Sequence, residues 1–147
     1  MGPQPDRTAT PSDRAGAHRP RERTLAWEMR AVVRGGEGRF RQTFRTRLPE
    51  AYAYFEGHFP AYPVLAAAVQ LHELVLPCLR RSRPDLGPLR HLKGLKFLER
   101  IGPGERLDVT LEWKDDSAQV DFEIHAGDVR ASAGTLVLGP TQDAGPP

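Results

Sequence analysis

The stretch "YFEGHFPAYPVLAAAVQLHELVLP", Tyr54 to Pro77, decides the fold, because the hydrophobic period of the chain changes inside it. From Pro63 to Leu79 the apolar positions Val64, Leu65, Ala67, Ala68, Leu71, Leu74, Val75 and Cys78 recur at helical spacing and wrap most of the way round the axis. A helix apolar on nearly all sides is expected to be buried. Pro63 suits its first turn, and Arg80 and Arg81 suit the negative end of its dipole. Pro77 has no N–H, and its ring crowds the preceding turn, so the helix is expected to kink or stop about one turn early. Just upstream, His58 stands in a turn-forming segment, where it is either a catalyst or a bystander bonded to backbone.

On both sides of this helix the period is two. Leu25, Trp27, Met29, Ala31 and Val33 alternate with polar or small residues, "GGEG" (Gly35 to Gly38) supplies a turn, and Phe40 and Phe44 alternate with Arg39, Arg41, Thr43, Arg45 and Arg47. This pattern predicts a hairpin with one wet, basic face. Downstream, Leu95 and Phe97, then Leu107, Val109, Leu111 and Trp113, mark two strands separated by the Pro103-Gly104 turn. Two more strands carry Val120, Phe122 and Ile124, and then, after Gly127-Asp128, a face of Val129, Ala131, Ala133 and Val137. The order is strand, strand, helix, then three or four strands. It predicts an α+β fold in which an antiparallel β-sheet wraps around one central helix.

The expected domain is residues 24–138. Residues 1–23 hold Pro3, Pro5, Pro11, Pro20 and five arginines with almost no large apolar side chain, which reads as a disordered arm, and residues 139–147 ("GPTQDAGPP") read as a flexible tail. The 147 residues are 27% charged, with a formal net charge of only +2, so the overall balance points to no nucleic-acid partner. No stretch approaches the ~20 apolar residues needed to span a bilayer, and the N-terminus lacks the apolar run of a signal peptide. A single cysteine, Cys78, forms no intramolecular disulfide, and a cytoplasmic location is the simple expectation. Cys78 reads as a small buried hydrophobe. His58, His72, His91 and His125 lack tight ligand spacing, so no metal site is expected.

"YFEGHFPAYPVLAAAVQL" resembles the signature of the hot-dog-fold 3-hydroxyacyl-acyl carrier protein dehydratases of the FabA/FabZ type, G-H-F-P-x-x-P-[VI]-x-P-G-[VI]-hydrophobic-x-x-[E/D], through Gly57, His58, Phe59, Pro60, Pro63, Val64 and Val69. "LKFLERIGPGERLDVTLEW" is similar to that family's strand, Pro-Gly turn and strand. The ApeI-like branch, associated with arylpolyene pathways and reading P-V-L-P-G-V-V-Q-L-D, is the nearest in flavour. The resemblance spans roughly Ala26 to Leu138.

Dehydration of a 3-hydroxyacyl thioester needs a base for the α-proton, an acid for the departing hydroxyl, and donors for the thioester oxygen. The resemblance implies His58 as the base; an imidazole of ordinary pKa, about 6.5, accepts a proton near neutrality. It implies that the amides around Ala66, Ala67 and Ala68, at the start of the helix, hold the thioester oxygen. Phe59, Val64 and Leu65 become walls of an acyl tunnel at a subunit boundary. No metal or organic cofactor is implied.

Two departures stand out. Ala66-Ala67 replaces the family's Pro-Gly. The family's acid, fourteen positions after the histidine, is His72 here, with Glu73 one place on and about 100° further round the helix. In the family the histidine of one subunit faces the acid of the other, so the implied assembly is a homodimer, or a heterodimer with a paralogous subunit that supplies a carboxyl group. The expected function is dehydration of carrier-protein-bound 3-hydroxyacyl chains to trans-2-enoyl thioesters in fatty-acid, polyene or polyketide-type biosynthesis. The rivals are a non-catalytic carrier-protein-binding subunit and a hot-dog acyl thioesterase. Arg80, Arg81 and Arg83, followed by Arg90, Lys93, Lys96 and Arg100, form a candidate docking patch for an acidic acyl carrier protein.

Overall fold

The computed structural model describes residues 24–53 and 65–140. The stretch 54–64, with His58, Phe59 and Val64, lies outside the described residues, as do the expected N-terminal arm and most of the C-terminal tail. Seven strands build one sheet: β1 (Glu28–Met29), β2 (Val33–Arg34), β3 (Arg39–Arg47), β4 (Leu89–Phe97), β5 (Arg106–Lys114), β6 (Gln119–Ala126) and β7 (Val129–Leu138). The order across the sheet is β1-β3-β5-β6-β7-β4, with β2 also paired to β3, and every pairing is antiparallel. Between β3 and β4 the described residues form one long helix, α1, made of an α turn (Ala67–Val69), a π segment (Gln70–Val75) and a second α segment (Leu76–Ser82). This is the hot-dog fold. The connection through α1 carries the chain from β3 to the opposite edge of the sheet, and the helix shares one buried core with the central strands.

Period-two alternation puts Phe44, Leu107, Val109, Leu111, Val120, Phe122 and Ile124 on that face, where they meet Leu74, Val75, Cys78 and Leu79 of α1 in one buried core. The wet face of β3 is basic, as expected, and its middle is neutralised: Arg41 pairs with Glu112 and Arg45 with Asp108, both on the neighbouring β5. At its two ends Arg39 and Arg47 lie opposite Lys114 and Arg106, so the cross-strand pairing of opposite charges is confined to the centre.

Four expectations are corrected. First, α1 is not enclosed by the described residues: Ala67, Ala68 and His72 are exposed and Val69, Leu71 and Leu76 only half-buried, so one stripe of the helix has no cover among them. Second, of the two outcomes expected at Pro77, a kink or a stop, the stop does not occur: the helix runs on to Ser82. The Leu76 N–H reaches back five residues to Leu71 O, and this wider π turn makes room for the Pro77 ring at the start of the next α segment. Third, the first arm of the hairpin is broken. Met29 sits opposite Phe44 but Val33 opposite Arg41, a slip of one residue that turns Val33 outward (60% exposed) and sets Arg34 over the Phe40 ring at 5.5 Å. Fourth, a bulge between Ile124 and His125 shifts the register of β7, so its core residues are Ala131, Ser132, Leu136 and Leu138, not the alternating set that includes Val129, Ala133 and Val137. A one-residue slip exchanges the two faces of everything beyond it.

Candidate functional site

The start of α1 is held by backbone. The Leu65 N–H donates to Ile101 O at 2.9 Å, tying the entry of the helix to the loop after β4. Ala66 is extended (φ −65°, ψ 152°) and caps the helix without a side-chain hydrogen bond; the first helical bond runs from the Gln70 N–H to Ala66 O at 2.9 Å. Helix geometry leaves the N–H groups of Ala67, Ala68 and Val69 without intrahelical partners, and the first two residues are exposed. Unpaired donors at the positive end of the dipole, behind side chains no larger than a methyl group, can meet an oxygen on which negative charge develops.

Beside this helix start lies a cavity of about 310 Å³ lined by Leu65, Ala67, Gln70, Phe97, Leu98, Glu99 and Arg100. The exit of β4 forms its far wall and is pinned to the bulged part of β7 by bonds from the Leu98 and Glu99 N–H groups to Ala131 O (2.7 and 3.2 Å). Phe97 and Leu98 remain 44% and 47% exposed, so the wall is open on the side away from the chain. Of the residues singled out in the sequence, the structure brings Leu65 and Ala67 into this cavity, with Ala66 and Ala68 adjoining in the chain. His72 is exposed on α1 and does not line it; Glu73, half-buried, points elsewhere. His58, Phe59 and Val64 lie outside the described residues. Sequence reasoning passed over Gln70, Phe97 and Leu98 as site residues. Gln70 carried a readable signal, a polar side chain among the apolar positions of the helix.

At the other end of α1 the three candidate docking arginines differ. Arg80 donates to Leu86 O (3.3 Å) and Gly87 O (3.1 Å), satisfying carbonyls of the loop that follows the helix. Arg83 is clamped by Asp85 at 2.8 and 3.0 Å, lies 5.5 Å over the Trp113 ring, and is only 11% exposed. The Arg83 hydrogen bonds hold the Asp85 carboxyl below its ordinary range. Arg81 is exposed, as are Arg90, Lys93, Lys96 and Arg100 along the β4 edge. Cys78 is fully buried, and desolvation pushes its thiol well above the ordinary range, with Arg81 opposing, so it is not a nucleophile. Among the described residues no three His, Cys, Asp or Glu side chains gather as a metal site.

A larger hollow of about 490 Å³ lies among the outward-facing residues of the sheet, between Arg41, Glu112, Asp121, Glu123, Arg130 and their neighbours. Two of its ion pairs are internal, Arg41–Glu112 and Arg130–Glu123, and of the expected site residues only Lys96 of the docking patch reaches it. The smaller cavity is the one with chemistry to offer.

A family model for the ApeI dehydratase, ApeI-like, matches residues 36–135. Solved structures share the fold. An uncharacterized protein from Erwinia carotovora subsp. atroseptica superposes with a TM-score of 0.65 at 23% identity, over 80% of this chain and 95% of its own. The dehydratase heterocomplex ApeI:P from Xenorhabdus doucetiae gives 0.60 at 19%, over 76% and 96%. A candidate thioesterase, yhdA, from Lactococcus lactis gives 0.55 at 12%, over 80% and 93%. A search of curated proteins found no significant match.

Proposed function

Because the chain belongs to the ApeI-like dehydratase family, we propose that it is one subunit of a 3-hydroxyacyl thioester dehydratase whose acid comes from a partner. The observation that carries this reading is His72. It stands exposed on the uncovered stripe of α1, at the position where the resemblance places a carboxyl group. In this reading His58 takes the α-proton, and the amides of Ala67 and Ala68 hold the thioester oxygen. Phe59, Val64 and Leu65 line the acyl chain, and the partner's carboxyl group protonates the leaving hydroxyl. Two copies of this chain would pair His58 with His72 twice and supply no carboxylic acid. A paralogue bearing Glu or Asp would complete one site. The heterocomplex known for ApeI:P is consistent with that arrangement. The open apolar wall at Phe97 and Leu98 supports a partner seated along β4. The carrier protein is assigned to the basic end of the molecule, where Arg81 is the exposed member of Arg80, Arg81 and Arg83.

The test is dehydration of 3-hydroxyacyl carrier protein, followed as enoyl thioester formed. The purified chain alone is expected to be weak or inactive. His72→Glu, or co-expression with an acid-bearing paralogue, is expected to raise the rate by ~10²-fold or more, the range of a positioned general acid. His58→Ala in the same assembly should abolish that gain. Ordinary turnover at pH 8 by the wild-type chain alone would sink the partner-acid reading. Release of free acid and thiol instead of the enoyl product would point to a thioesterase.

A further inference from the structure

Gln70 is 5% exposed on α1, and its carboxamide is used at one end only. Its Nε2 donates to Leu65 O at 3.1 Å; its Oε1 is buried and has no hydrogen-bond partner. The orientation is dictated by chemistry, since a backbone carbonyl only accepts and must therefore face the NH₂ group. The orphan atom is thus an acceptor, and what completes it must be a donor. An acceptor buried without a partner ordinarily destabilises the fold, so a core position that keeps one calls for an explanation. Methionine or leucine would fill the same space without the Oε1 orphan, at the loss of the bond to Leu65 O.

Gln70 and the residue it grips, Leu65, both line the 310 Å³ cavity at the helix start, whose other walls are chiefly Ala67, Phe97 and Leu98. We infer that Gln70 is a specificity-determining residue that accepts a hydrogen bond from the 3-hydroxyl of an acyl thioester. The inference rests on the thioester reading above. The Gln70 carboxamide reaches back along the helix to Leu65 O, so it lies at the level of the helix start. That placement fits a ligand whose carbonyl oxygen lies at the Ala67 and Ala68 amides and whose hydroxyl, two carbons along, lies at Gln70. The 3-hydroxyl is the donor carried by the acyl chain next to the thioester. Oε1 is closed to water in the unliganded chain, so a hydroxyl reaches it as the side chains over it shift, and the bond then forms with no hydration to displace on the protein side. A neutral amide binds the hydroxyl without protonating it. Gln70 therefore selects the substrate and leaves the chemical step to others, and its loss should appear in KM and not in kcat.

The test uses pantetheine conjugates in which an amide replaces the thioester, so that nothing turns over: 3-hydroxyoctanoyl, octanoyl and 3-oxooctanoyl, titrated calorimetrically into the wild-type chain and into Gln70→Met and Gln70→Glu. The wild type is expected to bind the 3-hydroxy ligand about 10-fold more tightly than the saturated one, the yield of one hydrogen bond. It should show no such preference for the 3-oxo ligand, which has no donor. Gln70→Met should bind the hydroxylated and saturated ligands alike. Gln70→Glu keeps both a donor to Leu65 O and an acceptor oxygen while its buried carboxyl group is protonated, and in that form it should retain the preference. A wild type that binds the 3-oxo ligand as tightly as the 3-hydroxy ligand overturns the assignment with no variant needed, and so does an unchanged preference in Gln70→Met. If none of the three ligands binds, the thioester reading itself fails, and this assignment with it.

Discussion

Asp108 shows how a single residue ties the stability of this molecule to pH. Its carboxylate receives the Arg45 Nε–H at 2.8 Å and an Nη2–H at 3.1 Å, in a bidentate pair across β3 and β5. The Arg45 hydrogen bonds hold the Asp108 carboxyl below its ordinary range; partial burial opposes them, and the charges of Arg45, Arg106 and Arg30 add to them. A carboxyl group whose folded pKa lies below its unfolded value stabilises the fold above the unfolded value, about 3.9, and loses that contribution as pH falls through the folded one. At 19% exposure the Asp108 side chain is screened less than a surface carboxylate, so Asp108→Asn should cost about 1 kcal/mol at pH 7. Urea unfolding of both proteins at pH 7, 5 and 3 checks this. The gap should narrow as pH falls below about 4, where the unfolded chain's Asp108 takes up a proton before the folded chain's does, and an equal gap at pH 7 and pH 3 would refute the argument.

At the scale of the element, α1 accommodates a residue that ordinarily breaks helices. In a regular α-helix interior Pro77 would lose a hydrogen bond, collide with the preceding turn and cost ~3 kcal/mol or more. The π segment Gln70–Val75 moves that turn away by one residue before the proline is reached. Pro77→Ala should therefore change unfolding free energy by no more than ~1 kcal/mol in either direction, measured by denaturant titration. A gain near 3 kcal/mol would mean that the wider turn had not relieved the proline. The same segment carries both His72 and Gln70, one exposed and one buried two residues away.

For the molecule as a whole, the uncovered surfaces lie near one another. Leu95 (37% exposed), Phe97 (44%) and Leu98 (47%) line the free edge strand β4 and its exit, and Ala67, Ala68 and His72 form the open side of α1. Gly134 of β7 has no side chain to obstruct Leu95, which lies over it together with Phe122. An apolar edge strand left open invites a second chain. The double variant Leu95→Glu/Phe97→Glu should dissociate the assembly, read by sedimentation velocity, while keeping the circular dichroism of the wild type, because both side chains are exposed in the single chain. An unchanged sedimentation coefficient would place the subunit contact elsewhere.

Much of this was legible locally. The hairpin, the central helix and the inward faces of β5 and β6 follow from a hydrophobic period of 2 or 3.6 and from turn residues, which act over a few positions of chain. "GHFP" and the residues after it carried the family before any coordinate did. What lay beyond the sequence depends on contacts made across the fold. β4 joins β7 rather than β5, although β5 follows it in the chain. Two register slips turn Val33 outward and Ser132, Leu136 and Leu138 inward, and no periodicity announces a bulge. Arg80 and Arg83 read as free cations until the loop carbonyls and Asp85 that engage them are in place. Gln70 could be seen as a polar residue in an apolar helix, but whether its two ends are satisfied is decided by burial. Burial is a property of the packed chain: it takes water away from one oxygen and leaves the next group along free to hydrate.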